Sequence, residues 1–400
     1  MVLPAGARGD GREAMTAPQK FRAACYTIEG LNSFAVVIFF NYLYFLFRDR
    51  FGFNDKENLA LASLIGLIYM FSSWQAGRFA QRCGHFTALK IGFGIMIAGL
   101  VAGSQIHSMA GEIAAAGVVN IGMCFIWPVL EALVSEGAHA ARAVGIYNIT
   151  WAAANAAAYF IGGTLIVKFG YQSMFYLPLI FVLVQLALVF WLEKIHGVVV
   201  GEPGEPPNDA SRPSPARAKN FQRMAWLANP FAYIAINTLI AVLPGIAAKF
   251  QLSTSLAGFV CSLWCFARVV AFVTLWRWTG WHYKFPWLAG AFALLIISFT
   301  TILVAHTLAV VLVAQVFFGA GIGLIYYSSL FYAMDAHDSS SEHGGIHEAA
   351  IGVGNSVGPA VGALALWLAP QNAGVSAWAV SGLLTTGLCG LFWLRGRRAD

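Results

Sequence analysis

Charge is what this sequence has least of. Asp, Glu, Lys and Arg make up 10% of its 400 residues, against roughly 25% in an ordinary soluble domain, while 59% are hydrophobic and the mean hydropathy is +0.69. So little charge cannot cover a water-facing surface of this size, which excludes a soluble domain and implies a protein built for lipid. Cysteines with metal-ligand spacing are lacking too: Cys25, Cys83, Cys124, Cys261, Cys265 and Cys389 are scattered, mostly inside apolar runs. There is no phosphate-cradling glycine loop, no nucleophile triad and no intramembrane His/Asp metal set. Gly344-Gly345 and Gly352-x-Gly354 do not follow a strand and are no dinucleotide fingerprint. No enzyme, cofactor or metal is expected. The net charge of +6 does not point to nucleic acid, because the basic residues lie in short segments between apolar runs, where they set topology.

What the chain does have is apolar length. A helix needs roughly 20 apolar residues to span a bilayer, and twelve runs qualify, near 27–48, 58–78, 87–107, 113–134, 144–167, 173–193, 225–247, 255–276, 286–305, 308–331, 346–368 and 376–394. The expected class is an all-α integral membrane protein. Residues 1–25 carry Pro4, Pro18 and four basic residues ahead of the first run, without a cleavable leader, and are expected to be a disordered cytoplasmic tail, with Met15 as a second candidate start. Residues 194–222, rich in Pro, Gly and charge, are expected to be a flexible cytoplasmic linker. They divide the chain into six spans over 26–193 and six over 223–395, followed by a short tail at 396–400. Of the 24 Lys and Arg, only Arg48, Arg50, Lys56, Lys168 and Lys249 fall on the side opposite the linker, and Arg268 lies inside a span. The other eighteen place both termini and the linker in the cytoplasm, in an inner membrane.

Residues 145–163 and 345–363 align without a gap at an offset of 200, Gly145 with Gly345, Asn148 with Glu348, Asn155 with Asn355 and Gly162 with Gly362. A repeat of half the chain, carried by two apolar helices, implies two similar six-helix bundles and a secondary transporter with its site between them. Glu348, Asn355 and Gly362 are seven apart, so they share one stripe of the eleventh span, with Gly352 and Pro359 close by. Two roles stay open for these glycines: helix packing, or a hinge between the halves.

Ionisable groups inside spans are costly and therefore functional candidates. Arg268, too deep to snorkel, is expected either to bind an anionic group of the substrate or to anchor a salt bridge between helices. Glu131, in the cytoplasmic half of the fourth span, and Glu348, opening the eleventh, are candidate proton carriers. Snorkelling to the surface is the other reading of Glu131, and a favourable first-turn carboxylate the other reading of Glu348. Glu29 ranks below both. His337, Asp338, Glu342 and His343 are read as a solvated loop, and Trp276, Trp278, Trp281, His282 and Tyr283 as an interfacial aromatic belt.

Twelve spans in two sixes, with a central linker and both termini inside, resemble the major facilitator superfamily. Gly77-Arg-Phe-Ala-Gln81-Arg82-Cys-Gly84-His85 is similar to that family's loop signature G-x-x-x-D-R-x-G-R, with Gln81 at the acidic position and His85 at the second basic one. The resemblance implies a gating latch between the halves at Gly77, Gln81, Arg82 and Gly84. Gly354-Asn-Ser-Val-Gly358-Pro359-Ala-Val-Gly362 resembles the antiporter signature G-x-x-x-G-P-x-x-G, here in the eleventh span rather than the fifth, and makes Gly354, Gly358, Pro359 and Gly362 the expected hinge.

On the helices that line the cavity in this superfamily stand Asn41, Trp127, Asn237, Thr238, Tyr326 and Tyr327, joined by Arg268 and Asn355 as expected substrate-binding residues. The expected activity is proton-coupled export of a small amphiphilic molecule by alternating access, from a monomer. Two alternatives remain: proton-coupled import of an organic anion through Arg268, and a non-transporting membrane sensor. The coupling ion is H⁺, with Na⁺ as the alternative.

Overall fold

A computed structural model describes residues 16–135, 140–199, 214–335, 341–372 and 374–396. Among these, twelve helical segments are long and apolar enough to cross a membrane, and the described residues contain no strand. They are formed by α1 (Ala17–Phe51), α2 (Asp55–Cys83), α3 (His85–Gln105), α4 (Met109–Met123), α5 (Trp127–Ser135), α6 (Ala140–Phe169), α7 (Ser173–Val199), α8 (Pro215–Lys249), α9 (Thr254–Cys261), α10 (Leu263–Arg277), α11 (Phe285–Val304), α12 (Leu308–Asp335), α13 (Ser341–Leu368) and α14 (Val375–Gly396).

Two spans are broken, each for a local reason. The fourth tightens into i→i+3 bonds from Phe125 N–H to Gly122 O and from Ile126 N–H to Met123 O, and restarts as α5 with Pro128 in its first turn. There a missing N–H costs nothing, whereas inside a continuous helix it would leave a carbonyl unpaired. The eighth breaks at Ser262, whose hydroxyl donates to Phe259 O at 2.7 Å and competes with the helical ladder.

The expected tail and linker are both too long. α1 begins at Ala17, where Thr16 N–H donates to Gln19 Oε1 at 3.0 Å, and Phe21, Ala24, Cys25 and Ile28 bury one helical face by their 3.6-residue spacing. Residues 17–25 are thus part of the first helix. At the linker, α7 runs on to Val199 and α8 starts at Pro215, and Phe221 is buried against Tyr283 and Tyr332. Residues 1–15, 200–213 and 397–400 lie outside the described residues, as do His337 and Asp338. The aromatic belt also needs correcting at Trp281, which is buried, donates to Leu275 O at 3.2 Å and packs on Phe331 and Tyr332.

The repeat appears as two seams that join spans one to six to spans seven to twelve. In one, α13 lies along α2: a Cβ on Gly66 would come within 2.6 Å of the Asn355 and Ser356 backbone, one on Gly352 within 2.7 Å of Met70 N, and one on Gly345 2.9 Å from Gly77 Cα. In the other, α6 lies along α9 and α10: a Cβ on Gly163 would stand 2.9 Å from Ser255 Cα, and one on Gly145 2.6 Å from the Trp276 ring. Contacts so close need residues without side chains.

Replacing Gly66 by Ala forces backbone against backbone, and should lower stability by about 1–3 kcal/mol as other overpacked interiors do. Gly94, with nothing within 4 Å of its would-be Cβ, is the control. A falling detergent melting temperature in Gly66→Ala but not in Gly94→Ala checks the seam.

Candidate functional site

Between the seams is a cavity of about 170 Å³, bounded by α1, α2, α4, α5, α6, α8, α10, α12 and α13. Two stripes meet across its middle. On α6, Trp151, Asn155 and Tyr159 are four apart; on α10, Trp264 and Arg268 are four apart, with Phe272 continuing the row. Spacing of four puts each set on one helical face.

Arg268 is only 4% exposed. Its guanidinium carbon lies 4.4 Å from the Trp151 ring centre and 4.9 Å from that of Trp264, so indoles hold it by cation–π attraction. With the Asn155 amide oriented to suit its neighbours, Asn155 accepts from Arg268 Nη2 at 3.3 Å and donates to Ser33 O at 3.0 Å. Trp151 is braced in turn by Tyr326 and Phe272, at ring separations of 5.0 and 5.4 Å. Among the described residues, no carboxylate lies within the 4.0 Å ion-pair distance of Arg268. The salt-bridge reading of this residue therefore has no partner in the structure. Three donors of the same wall, Arg268 Nε, Trp264 Nε1 and Tyr159 OH, are buried without a hydrogen-bond partner.

The acids gather elsewhere on the wall. Glu29 of α1 is 1% exposed and fully engaged: Ser33 Oγ donates to it at 2.8 Å, Trp127 Nε1 at 3.2 Å and Tyr147 OH at 2.8 Å. Glu348 of α13 accepts from Tyr69 OH of α2, across the seam. Glu131 of α5, His347 and Glu348 each offer a ligand atom, all within 4.8 Å of one another. His347 Nδ1 is 3.8 Å from Glu348 Oε1 and has no hydrogen-bond partner; Nε2 lies 3.1 Å from Asn229 Nδ2 and 3.4 Å from Ser329 Oγ. Two carboxylates and an imidazole so close can share a proton or hold another cation.

Of the expected site residues, Asn41, Trp127, Glu131, Asn237, Arg268, Tyr326, Glu348 and Asn355 all line this cavity, and Asn237 donates to the Asn355 side-chain oxygen across α8 and α13. Thr238 and Tyr327 do not line it. Each is one residue beyond a lining residue, and a helical step of about 100° turns it away: Thr238 faces Gly358, and Tyr327 packs on Trp281 and Phe272. The signature glycines divide. Gly354 and Gly358 pack on Pro230, Tyr233 and Ile234 of α8, within the second six spans, Pro359 stands inside α13, and Gly362 touches Leu59 of α2. Contact between the halves thus falls to Gly362 at the far end of α13 and to Gly345 and Gly352, outside the signature. In the loop motif, Gly77 meets Gly345, Gln81 and Arg82 are exposed at the end of α2, and Gly84 turns the chain with φ +89°.

Sequence reasoning missed Trp151, Tyr159, Trp264 and His347, and gave no sign of the three hydrogen bonds that hold Glu29. The spacing of four around Arg268 was the available signal. For Glu29 there was none, since its donors come from α1, α5 and α6.

The family model of the Major Facilitator Superfamily matches residues 24–359. This chain belongs to the Major Facilitator Superfamily. It is a multi-pass membrane transporter rather than an enzyme. Among solved structures, the human organic anion transporter MFSD10 (TETRAN) is similar over 94% of this chain and 100% of its own, at 14% identity and a TM-score of 0.69. A POT family transporter in complex with a thioalcohol-conjugated peptide is similar over 95% and 97%, at 12% identity and a TM-score of 0.76. A bacterial homologue of the human lysosomal transporter Spinster, inward-facing and unoccupied, matches over 96% of both chains, at 13% identity and a TM-score of 0.64. Likeness at this identity establishes the fold, and no curated protein matches the sequence.

If Arg268 serves a ligand rather than the fold, Arg268→Met should leave stability within about 1 kcal/mol of wild type. The lost cation–π contact is offset by a buried charge no longer desolvated. A drop of about 3–5 kcal/mol, the mark of a broken buried ion pair, would contradict this.

Proposed function

We propose that this secondary transporter carries a small organic anion whose carboxylate is gripped by Arg268, and that a proton travels with it. The observation behind the proposal is the guanidinium without an acid, its Nε and the two donors Trp264 Nε1 and Tyr159 OH all without acceptors, at one central cavity. Planar Arg donors match a carboxylate edge to edge. Size favours a small anion over the larger amphiphile: about 170 Å³ is well below the roughly 300–1,000 Å³ of sites for drug-sized molecules. Import of an organic anion is thus favoured over export of an amphiphile.

Charge favours the proton. An anion entering a cell works against an inside-negative potential, at about 2.3 kcal/mol per charge per 100 mV, and a co-transported proton cancels that charge. Glu131 and Glu348 are the proposed carriers, with Glu29 held in reserve by its three donors. Tyr69 to Glu348 and Gly77 to Gly345 are contacts that rocking of the halves breaks and remakes. The excess of Lys and Arg supports both termini and the linker in the cytoplasm and an inner-membrane location; the protein is proposed to work as a monomer.

Proteoliposomes with an inward proton gradient, offered a panel of labelled short carboxylates, test the proposal. At least one should accumulate, and a protonophore should abolish the accumulation. Arg268→Ala should lower its uptake by roughly 30-fold or more, equivalent to the ~2 kcal/mol or more lost when a buried charge contact is truncated. Glu131→Gln or Glu348→Gln should still exchange the anion but not concentrate it. Efflux of cationic dyes, indifferent to Arg268→Ala, would refute the anion site.

A further inference from the structure

We infer that the transported carboxylate also carries a primary ammonium group, received by Glu131, His347 and Glu348 while Arg268 takes the carboxylate; such a zwitterion has no net charge, so its coupled proton supplies driving force rather than charge cancellation. This deepens the proposed function and depends on the carboxylate being held at Arg268. The cavity has two unlike walls. Donors without acceptors stand on α6 and α10, whereas two carboxylates stand on α5 and α13 with the His347 imidazole, itself outside the lining, within 4.8 Å of both; Arg268, Glu131 and Glu348 all line the same space.

His347 supplies an independent reason. Its Nδ1 is buried without a hydrogen-bond partner although Glu348 Oε1 is 3.8 Å away, while Nε2 has two neighbours, Asn229 Nδ2 at 3.1 Å and Ser329 Oγ at 3.4 Å. In the tautomer with the hydrogen on Nε2, Nδ1 is a third acceptor beside the two carboxylates, and a donor among the three is what that arrangement lacks.

A primary ammonium presents three N–H donors, and Glu131, His347 Nδ1 and Glu348 present three acceptors within 4.8 Å of one another. Glu29 does not compete for it, since Ser33, Trp127 and Tyr147 already occupy its oxygens. A dicarboxylate would bring its second charge against the same acids. A plain monocarboxylate with one proton would leave one of the two acids uncompensated. The cavity's volume, about 170 Å³, suits a short amino-carboxylic acid.

Calorimetry on purified wild-type protein, with probes of one carbon skeleton, tests this directly: butanoate, succinate, 4-aminobutanoate and butylammonium, repeated with the three- and five-carbon sets. In the best-fitting set, the amino acid should bind about tenfold or more tighter than the monocarboxylate, as expected for a hydrogen bond to a charged group, and the dicarboxylate should bind least. In Glu131→Gln that ratio should collapse toward one. Should the variant not fold, the wild-type ratios decide alone. Carboxylate binding that requires Arg268 but gains nothing from the amine overturns this inference and leaves the anion site standing. Butylammonium binding as tightly as 4-aminobutanoate, or no carboxylate binding in any set, overturns both.

Discussion

Removing a guanidinium from water costs several kcal/mol after relaxation, and Arg268 recovers only part of it from two indole faces and one amide. A carboxylate from the protein would complete the compensation. None stands within ion-pair distance among the described residues, although Glu131 and Glu348 line the same cavity. Separation of these charges gives the site its chemistry, because a charge that the fold does not satisfy is one that a ligand can. Trp151 and Asn155 on one helix, and Trp264 on the other, hold Arg268 in a fixed pose, which removes much of the ordering cost a flexible side chain would pay on binding.

That separation depends on how closely the halves approach. Gly66, Gly352 and Gly345 let α13 lie against α2, which brings Tyr69 to Glu348 and Glu348 to Glu131. Gly163 and Gly145 do the same for α6 against α9 and α10, which brings Trp151 over Arg268. The 200-residue repeat thus has one physical meaning in both halves: a helix of small residues forms the wall of the site and the sliding surface at once. Its polar positions differ, Asn148 in one copy and Glu348 in the other, so the symmetric scaffold carries an asymmetric charge pattern.

Most of the scaffold was legible in the sequence, because long apolar runs and their Lys/Arg flanks need no tertiary information. Element ends were not: Phe21 and Phe221 lie in polar surroundings that look like tail and linker, and only packing makes those segments helical. At the site, Arg268, Glu131 and Glu348 stood out because charge in a span is expensive. Thr238 and Tyr327 failed because a span number does not give the direction of a side chain. Glu29 was hidden by geometry, for three donors from three helices leave no local trace.

The central claim is that Arg268 meets the substrate's carboxylate. A structure of the protein determined with a saturating short amino-carboxylic acid that it binds tests this most directly. The account predicts ligand density in the central cavity, its carboxylate within hydrogen-bond distance of Arg268 Nε and of Trp264 Nε1 or Tyr159 OH. Arg268 paired instead with a glutamate of its own chain, and the ligand bound elsewhere, would contradict it.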